Sequence, residues 1–152
     1  MVQVIKPTIE LVQQLGSNLR PMDVLELTST NPDKTPQETL LLSYQVSSKC
    51  YAIVEDGECL GVFGVAPITK TIGVPWMLST EKFFELHSLK FARQCKAYLK
   101  EMSEGFGYFS NYIAADNIKC QQWLKWLGFT IYDQYPVDFH GTTFYMFDMR
   151  IK

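Results

Sequence analysis

The sequence predicts an α+β protein, in which helices flank a mixed, largely antiparallel sheet in α/β layers. Three observations carry this. Short runs rich in β-branched and aromatic residues recur along the chain, and two of them, "CYAIVE" and "ECLGVFGVAPI", meet at Asp56 and Gly57 as a hairpin. Between such runs lie segments whose apolar residues fall at steps of three and four, the helical period. Capping residues and prolines mark the joins.

In chain order, "MVQVIKPT" alternates Val2 and Val4 with polar partners, a first strand ended by Pro7. Thr8 caps a helix carrying Leu11, Val12 and Leu15 up to Gly16, and Arg20-Pro21 breaks it before a second helical piece, "PMDVLELTS". After the loop "TNPDKTP", Thr35, Pro36 and Glu38 form a capping box with proline in the first turn, so a helix follows through "QETLLLSYQVS". In the hairpin's second run, Gly61 and Gly64 predict a bulge or a close backbone neighbour. "IGVPWMLST" is a further strand, kept from full pairing by Pro75.

Ser79 and Thr80 then offer the N-cap of one long helix reaching Met102, with Phe84, His87, Phe91, Cys95, Tyr98 and Met102 on one stripe. "YFSNYIAA" is the next strand, and Asp116 or Asn117 caps the short helix "IKCQQWLKWL", which stops at Gly128. A strand from Phe129 to Tyr135 should pair antiparallel with "TTFYMFDMRI" through the connection "PVDFHG". The two strand-helix-strand passages imply local parallel pairing with right-handed crossovers.

Composition narrows the function classes. The 152 residues suit one compact domain over 1–152, and 47% hydrophobic residues supply enough apolar surface to order it. A net charge of −2 gives no general attraction to nucleic acid or anionic lipid. Lys6, Pro7 and Glu10 interrupt any leader-like run, and no segment reaches membrane-spanning length. Cys50, Cys59, Cys95 and Cys120 lie far apart with only His87 and His140 to join them, so free thiols and no metal site are expected.

The order of elements, with Asn117, Cys120, Leu127, Gly128 and Phe129 at the short helix, resembles the Gcn5-related N-acetyltransferase (GNAT) superfamily. The resemblance covers the whole chain as topology and roughly the last third as sequence. It implies an acyl-CoA cleft where the fourth strand splays from the fifth. It also implies Trp76, Met77, Leu78, Lys82 and Asn117 as cofactor-side residues, while His87 and Asn111 are catalytic candidates by their own chemistry, an imidazole that titrates near neutral pH and an inward-facing amide.

Two departures stand beside this match. Active members carry a glycine-rich turn after the fourth strand, whose backbone N–H groups hold the CoA pyrophosphate; here it reads Ser79-Thr80-Glu81-Lys82-Phe83-Phe84, with no glycine. Where the family often keeps a tyrosine to protonate the leaving thiolate stands Leu124. No cofactor is therefore expected, and acetyl-CoA is the one implied if the chain is enzymatically active.

"CYAIVEDGECLGVFGV", "PWMLST", "SNYIAADN" and "WLKWLGF" are also similar to small GNAT-like proteins of tailed bacteriophages, including an internal-virion protein of podoviruses. That likeness implies a pseudoenzyme made in the bacterial host cytoplasm and a candidate for the virion, with protein partners in the phage particle or the host.

Several single residues leave two readings each. Trp76 either walls the cleft or fills it. Asn111, at the inward parity of Ile113, either binds something in the cleft or bonds nearby backbone. His87 is either a general base or a satisfied residue at the core boundary. His140 sits in a turn before Gly141, and Trp123 and Trp126 share a helix flank as packing or a partner surface.

Overall fold

The computed structural model describes residues 2–152. The elements are β1 (Val2–Ile5), α1 (Ile9–Gly16), α2 (Pro21–Thr30), α3 (Pro36–Val46), β2 (Lys49–Glu55), β3 (Glu58–Pro67), β4 (Ile72–Ser79), α4 (Glu81–Leu86), α5 (Ser88–Ser103), β5 (Tyr108–Ala114), α6 (Ile118–Leu127), β6 (Thr130–Ile131), β7 (Val137–Phe139) and β8 (Thr142–Arg150). One sheet runs in the order β1-β2-β3-β4-β5-β8-β6, with β7 also on β8. Every neighbouring pair is antiparallel except β4 with β5. No helix among the described residues is long and apolar enough to cross a membrane.

The sheet separates two apolar clusters. On one face Phe63, Phe109, Ile113 and Phe147 pack with Phe83, Phe91, Cys95 and Leu99 of α4 and α5. On the other, Ala52, Val62 and Leu78 pack with Val12, Leu15 and Leu40 of α1 and α3. Alternation along each strand sends neighbouring residues to opposite clusters, as Val62 and Phe63 do.

Local signals place most of the ends. Thr8 Oγ1 accepts from Leu11 N, and at α3 Thr35 and Glu38 close a reciprocal capping box. Gly128 ends α6 in the left-handed region at φ 107°, while Asp56 and Gly57 turn the β2–β3 hairpin with φ of 50° and 79°. Register shifts by one residue beside Gly61. Gly64 has a close neighbour, since a Cβ there would lie 2.5 Å from Lys49 O.

Four expectations are corrected. The long helix from Thr80 is broken at His87, whose φ of −124° separates α4 from α5. There Ser88 Oγ donates to Phe84 O at 2.7 Å, and the His87 ring turns to Glu55, with Nε2 3.4 Å from Oε1. The strand expected from Phe129 to Tyr135 shrinks to Thr130–Ile131, because Phe129 N is drawn back to Leu124 O and the chain turns at Tyr132. The "PVDFHG" connection instead holds β7, since His140 and Gly141, with φ of 51° and 89°, make a tight hairpin with β8. Lastly, only the β4-to-β5 passage gives a parallel pair, because β8 inserts between β5 and β6.

Candidate functional site

β4 and β5 pair only at Ile72 with Tyr108 and Gly73 with Phe109, and then part. Pro75 has no N–H to continue the ladder. The gap is held by Asn111, whose Nδ2 donates to Pro75 O at 2.8 Å and whose Oδ1 accepts from Tyr112 N at 2.7 Å. One side-chain amide thus serves both strand edges where a peptide group would otherwise sit.

Helix α2 closes the wide end of the splay. Asp23 Oδ2 accepts from Ser79 N at 2.9 Å, and Arg20 N donates to Ser79 O at 3.0 Å, which ties α2 to the end of β4. Glu26 Oε2 accepts from Ala114 N at 2.8 Å, which ties it to the end of β5. The cleft between the two strands has a volume of about 550 Å³ and passes through the sheet, with Met77, Leu99 and Leu124 on one face and Leu27, Val46 and Trp76 on the other. Since Pro75 O and Ser79 N face the splay, strand alternation turns the backbone N–H of Met77 there too.

A buried charge cluster stands in this cleft. Arg20, 7% exposed, donates from Nε to Asp23 Oδ1 at 3.0 Å and from Nη2 to Asn117 Oδ1 at 3.4 Å and Cys120 Sγ at 3.2 Å. Its guanidinium also lies 3.9 Å over the Phe84 ring. Burial pushes the Asp23 carboxyl up to about 7 against the opposing pull of Arg20. Burial raises Glu26 as well, opposed by the hydrogen bonds from Ala114 and Asn117. The Cys120 thiol is driven up to about 12 by burial, so it is no nucleophile near neutral pH.

The structure brings some predicted residues together and separates others. Trp76 lines the cleft and is anchored there, its Nε1 donating to Ser47 Oγ at 2.7 Å, while Met77 and Leu78 line opposite faces. Asn117 occupies the α6 N-cap position but does not cap; its Nδ2 donates to Glu26 Oε2 at 3.2 Å. Asn111 bonds nearby backbone, the second of its two readings. Lys82 lies outside the cleft, exposed and 3.0 Å from Glu58. His87 is outside it too, beside Glu55. His140 holds Ser29 O through Nδ1 at 2.8 Å.

The sequence reading missed Arg20, Asp23 and Glu26. Their signal was three charged residues at three-residue steps, which puts them on one face of α2 where a helix packed on a sheet should be apolar.

No protein-family model and no curated protein matches the sequence. Solved structures do match the fold. A GNAT-family acetyltransferase from Streptococcus pneumoniae superposes with a TM-score of 0.66 at 13% identity, over 100% of both chains. The ribosomal-protein-S18-alanine N-acetyltransferase from Escherichia coli gives 0.68 at 9%, over 100% of this chain and 95% of that one. Ard1 from Thermoplasma volcanium gives 0.68 at 12%, over 99% and 98%. The chain has the GNAT fold.

That fold implies acetyl-CoA, and the β4–α4 turn is where the pyrophosphate would need bare N–H groups. Here Ser79 N is given to Asp23, Thr80 N to Leu60 O, Phe83 N to Thr80 Oγ1 and Phe84 N to Thr80 O. Phe83 and Phe84 are buried, which fixes the turn to the core. The β2–β3 hairpin brings Glu55, Asp56 and Glu58 toward Lys82, and Glu81 adds a fourth acid. A doubly charged pyrophosphate at this turn would meet more negative charge than positive, with the first-turn amides of Glu81 and Lys82 as the donors left over.

Proposed function

We propose that the chain is a GNAT-fold accessory protein that acts by binding and not by acetyl transfer. The observation that carries this is Asp23. Its carboxylate sits on Ser79 N at the mouth of the turn, an acid of the chain's own where the fold elsewhere receives an anionic ligand. The acidic flank at Glu55, Asp56, Glu58 and Glu81 and the absence of glycine from the turn support the same reading. The setting we infer, bacteriophage assembly or DNA ejection through protein contacts, rests on the sequence resemblance of the strand and helix motifs quoted above.

Isothermal titration with acetyl-CoA tests the reading. No heat is expected at millimolar ligand, and micromolar affinity would overturn it. Mass spectrometry of purified particles tests the setting, since absence from them removes the virion role. The alternative is an N-acetyltransferase with a non-standard cofactor site. It is favoured by the cleft running through the sheet, with the Met77 N–H and two raised carboxylates inside, and acetyl transfer from acetyl-CoA to an amine, with release of free CoA thiol, would establish it.

A further inference from the structure

Charge is unevenly spread along this chain. Of its 14 lysines and arginines six lie on α5 and α6, namely Lys90, Arg93, Lys96, Lys100, Lys119 and Lys125, against one of its 16 acids, Glu101. Two helices of a protein with net charge −2 thus carry a strong local excess of positive charge. All six cations are exposed, and none makes an ion pair among the described residues. Glu101 does not neutralise them, because its side chain turns to Tyr51 on the β2 flank of α5.

Helical steps gather the cations on one side. Leu89, Arg93, Lys96 and Lys100 follow at steps of four, three and four, one row along α5. Lys96 Nζ lies 4.1 Å over the Trp126 ring and Lys119 Nζ 5.8 Å over that of Phe84, so this row borders the edge of α6 that carries Lys119 and Trp126. Large apolar side chains stand open among the charges: Leu89 is 88% exposed, Ile118 56% and Trp126 48%. Exposed apolar groups with Trp and Arg among them have the make-up of a protein-binding surface, and the charge calls for an acidic partner.

The spacing favours a helix. Acids at steps of three and four on a helix laid alongside would meet Arg93, Lys96 and Lys100 in turn, while its apolar residues cover Leu89 and Trp126. A nucleic acid or an anionic membrane fits less well, since exposed Glu85 and Asp116 directly precede Leu86 and Ile118 and would face a continuous array of phosphates. We propose that the α5–α6 face docks an acidic amphipathic helix of a protein partner. The face lies outside the cleft, so the proposal does not depend on whether CoA binds there.

The test is nuclear magnetic resonance of the whole ¹⁵N-labelled chain titrated with a synthetic helix of Leu-Glu-Glu-Leu-Leu-Glu-Glu heptads. The same peptide with Lys for every Glu is the control. The α5 and α6 amides and the Trp126 indole N–H are expected to shift and saturate with the acidic peptide alone. Arg93→Glu with Lys96→Glu, both at exposed positions, should weaken binding about tenfold at ~0.15 M salt, and Lys90→Glu, on the far flank of α5, by less than about twofold. No shift at millimolar peptide, equal shifts with the lysine peptide, or an equal loss from Lys90→Glu overturns the proposal. Tighter binding of oligothymidylate, or of vesicles of equal parts phosphatidylcholine and phosphatidylglycerol, overturns it in favour of nucleic acid or membrane. Acetyl-CoA that displaces the peptide would assign the cations to its phosphates and sink the proposal too, whereas acetyl-CoA bound with the peptide in place overturns only the reading of the cleft.

Discussion

Asp23 should make the protein less stable as the medium turns from mildly acid to mildly alkaline. Its carboxyl titrates at about 7 in the fold against an ordinary 3.8. Between those values the folded chain holds a proton that the unfolded chain has released. The stability this provides is fully present below 3.8 and is lost as pH rises through about 7. Asp23 is 3% exposed, so solvent does not screen the effect. From pH 5 to pH 8 the linkage amounts to about 2–3 kcal/mol lost, or roughly 5–10 °C in Tm for a chain of this length.

Glu26, raised by the same burial, adds in the same direction, while Arg20 opposes both. The assay is thermal unfolding at half-unit steps from pH 5 to 8, for the native chain and for Asp23→Asn, which cannot ionise. The native Tm should fall across the window and the variant's should fall less, by about the stated 2–3 kcal/mol. A native Tm that rises with pH, or parallel curves for the two proteins, would refute the reasoning.

Two further predictions concern the splay. Asn111→Leu strands Pro75 O and Tyr112 N, so urea unfolding should show a loss of about 1–3 kcal/mol, with faster hydrogen exchange at the Tyr112 amide. Gly73→Ala places a Cβ 2.8 Å from Val65 Cγ2 and 2.9 Å from Phe109 Cε1, at the last paired position before the strands part. Overpacking there should lower stability by about 1–3 kcal/mol in the same assay.

What could be read from the sequence was what short-range chemistry decides. Thr35 with Glu38, Asp56 with Gly57, and Gly128 each act within a few residues, and each marks an element end where expected. The break at His87 escaped because periodicity continues across it from Phe84 to Phe91, while its partner Glu55 lies on another strand. The His140-Gly141 turn was placed, but its power to pair β7 with β8 depends on both flanks together. Trp76 and Met77 were singled out through the GNAT resemblance, and both line the cleft. Arg20, Asp23 and Glu26 were not, because their meaning lies in contacts with Ser79, Ala114 and Asn117, which are far along the chain.

The place of β8 has a consequence for how this chain emerges from the ribosome. Residues 142–150 are made after β5 and β6, yet lie between them, and β7 pairs with them as well. Until they arrive, β5 has an open edge and Phe109, Ile113 and Phe129 lack the Phe147 that completes their cluster. Half of the sheet is therefore assembled only once residues 142–150 have been made, and a nascent chain stalled before Thr142 would expose both an unpaired strand and an apolar surface to its neighbours.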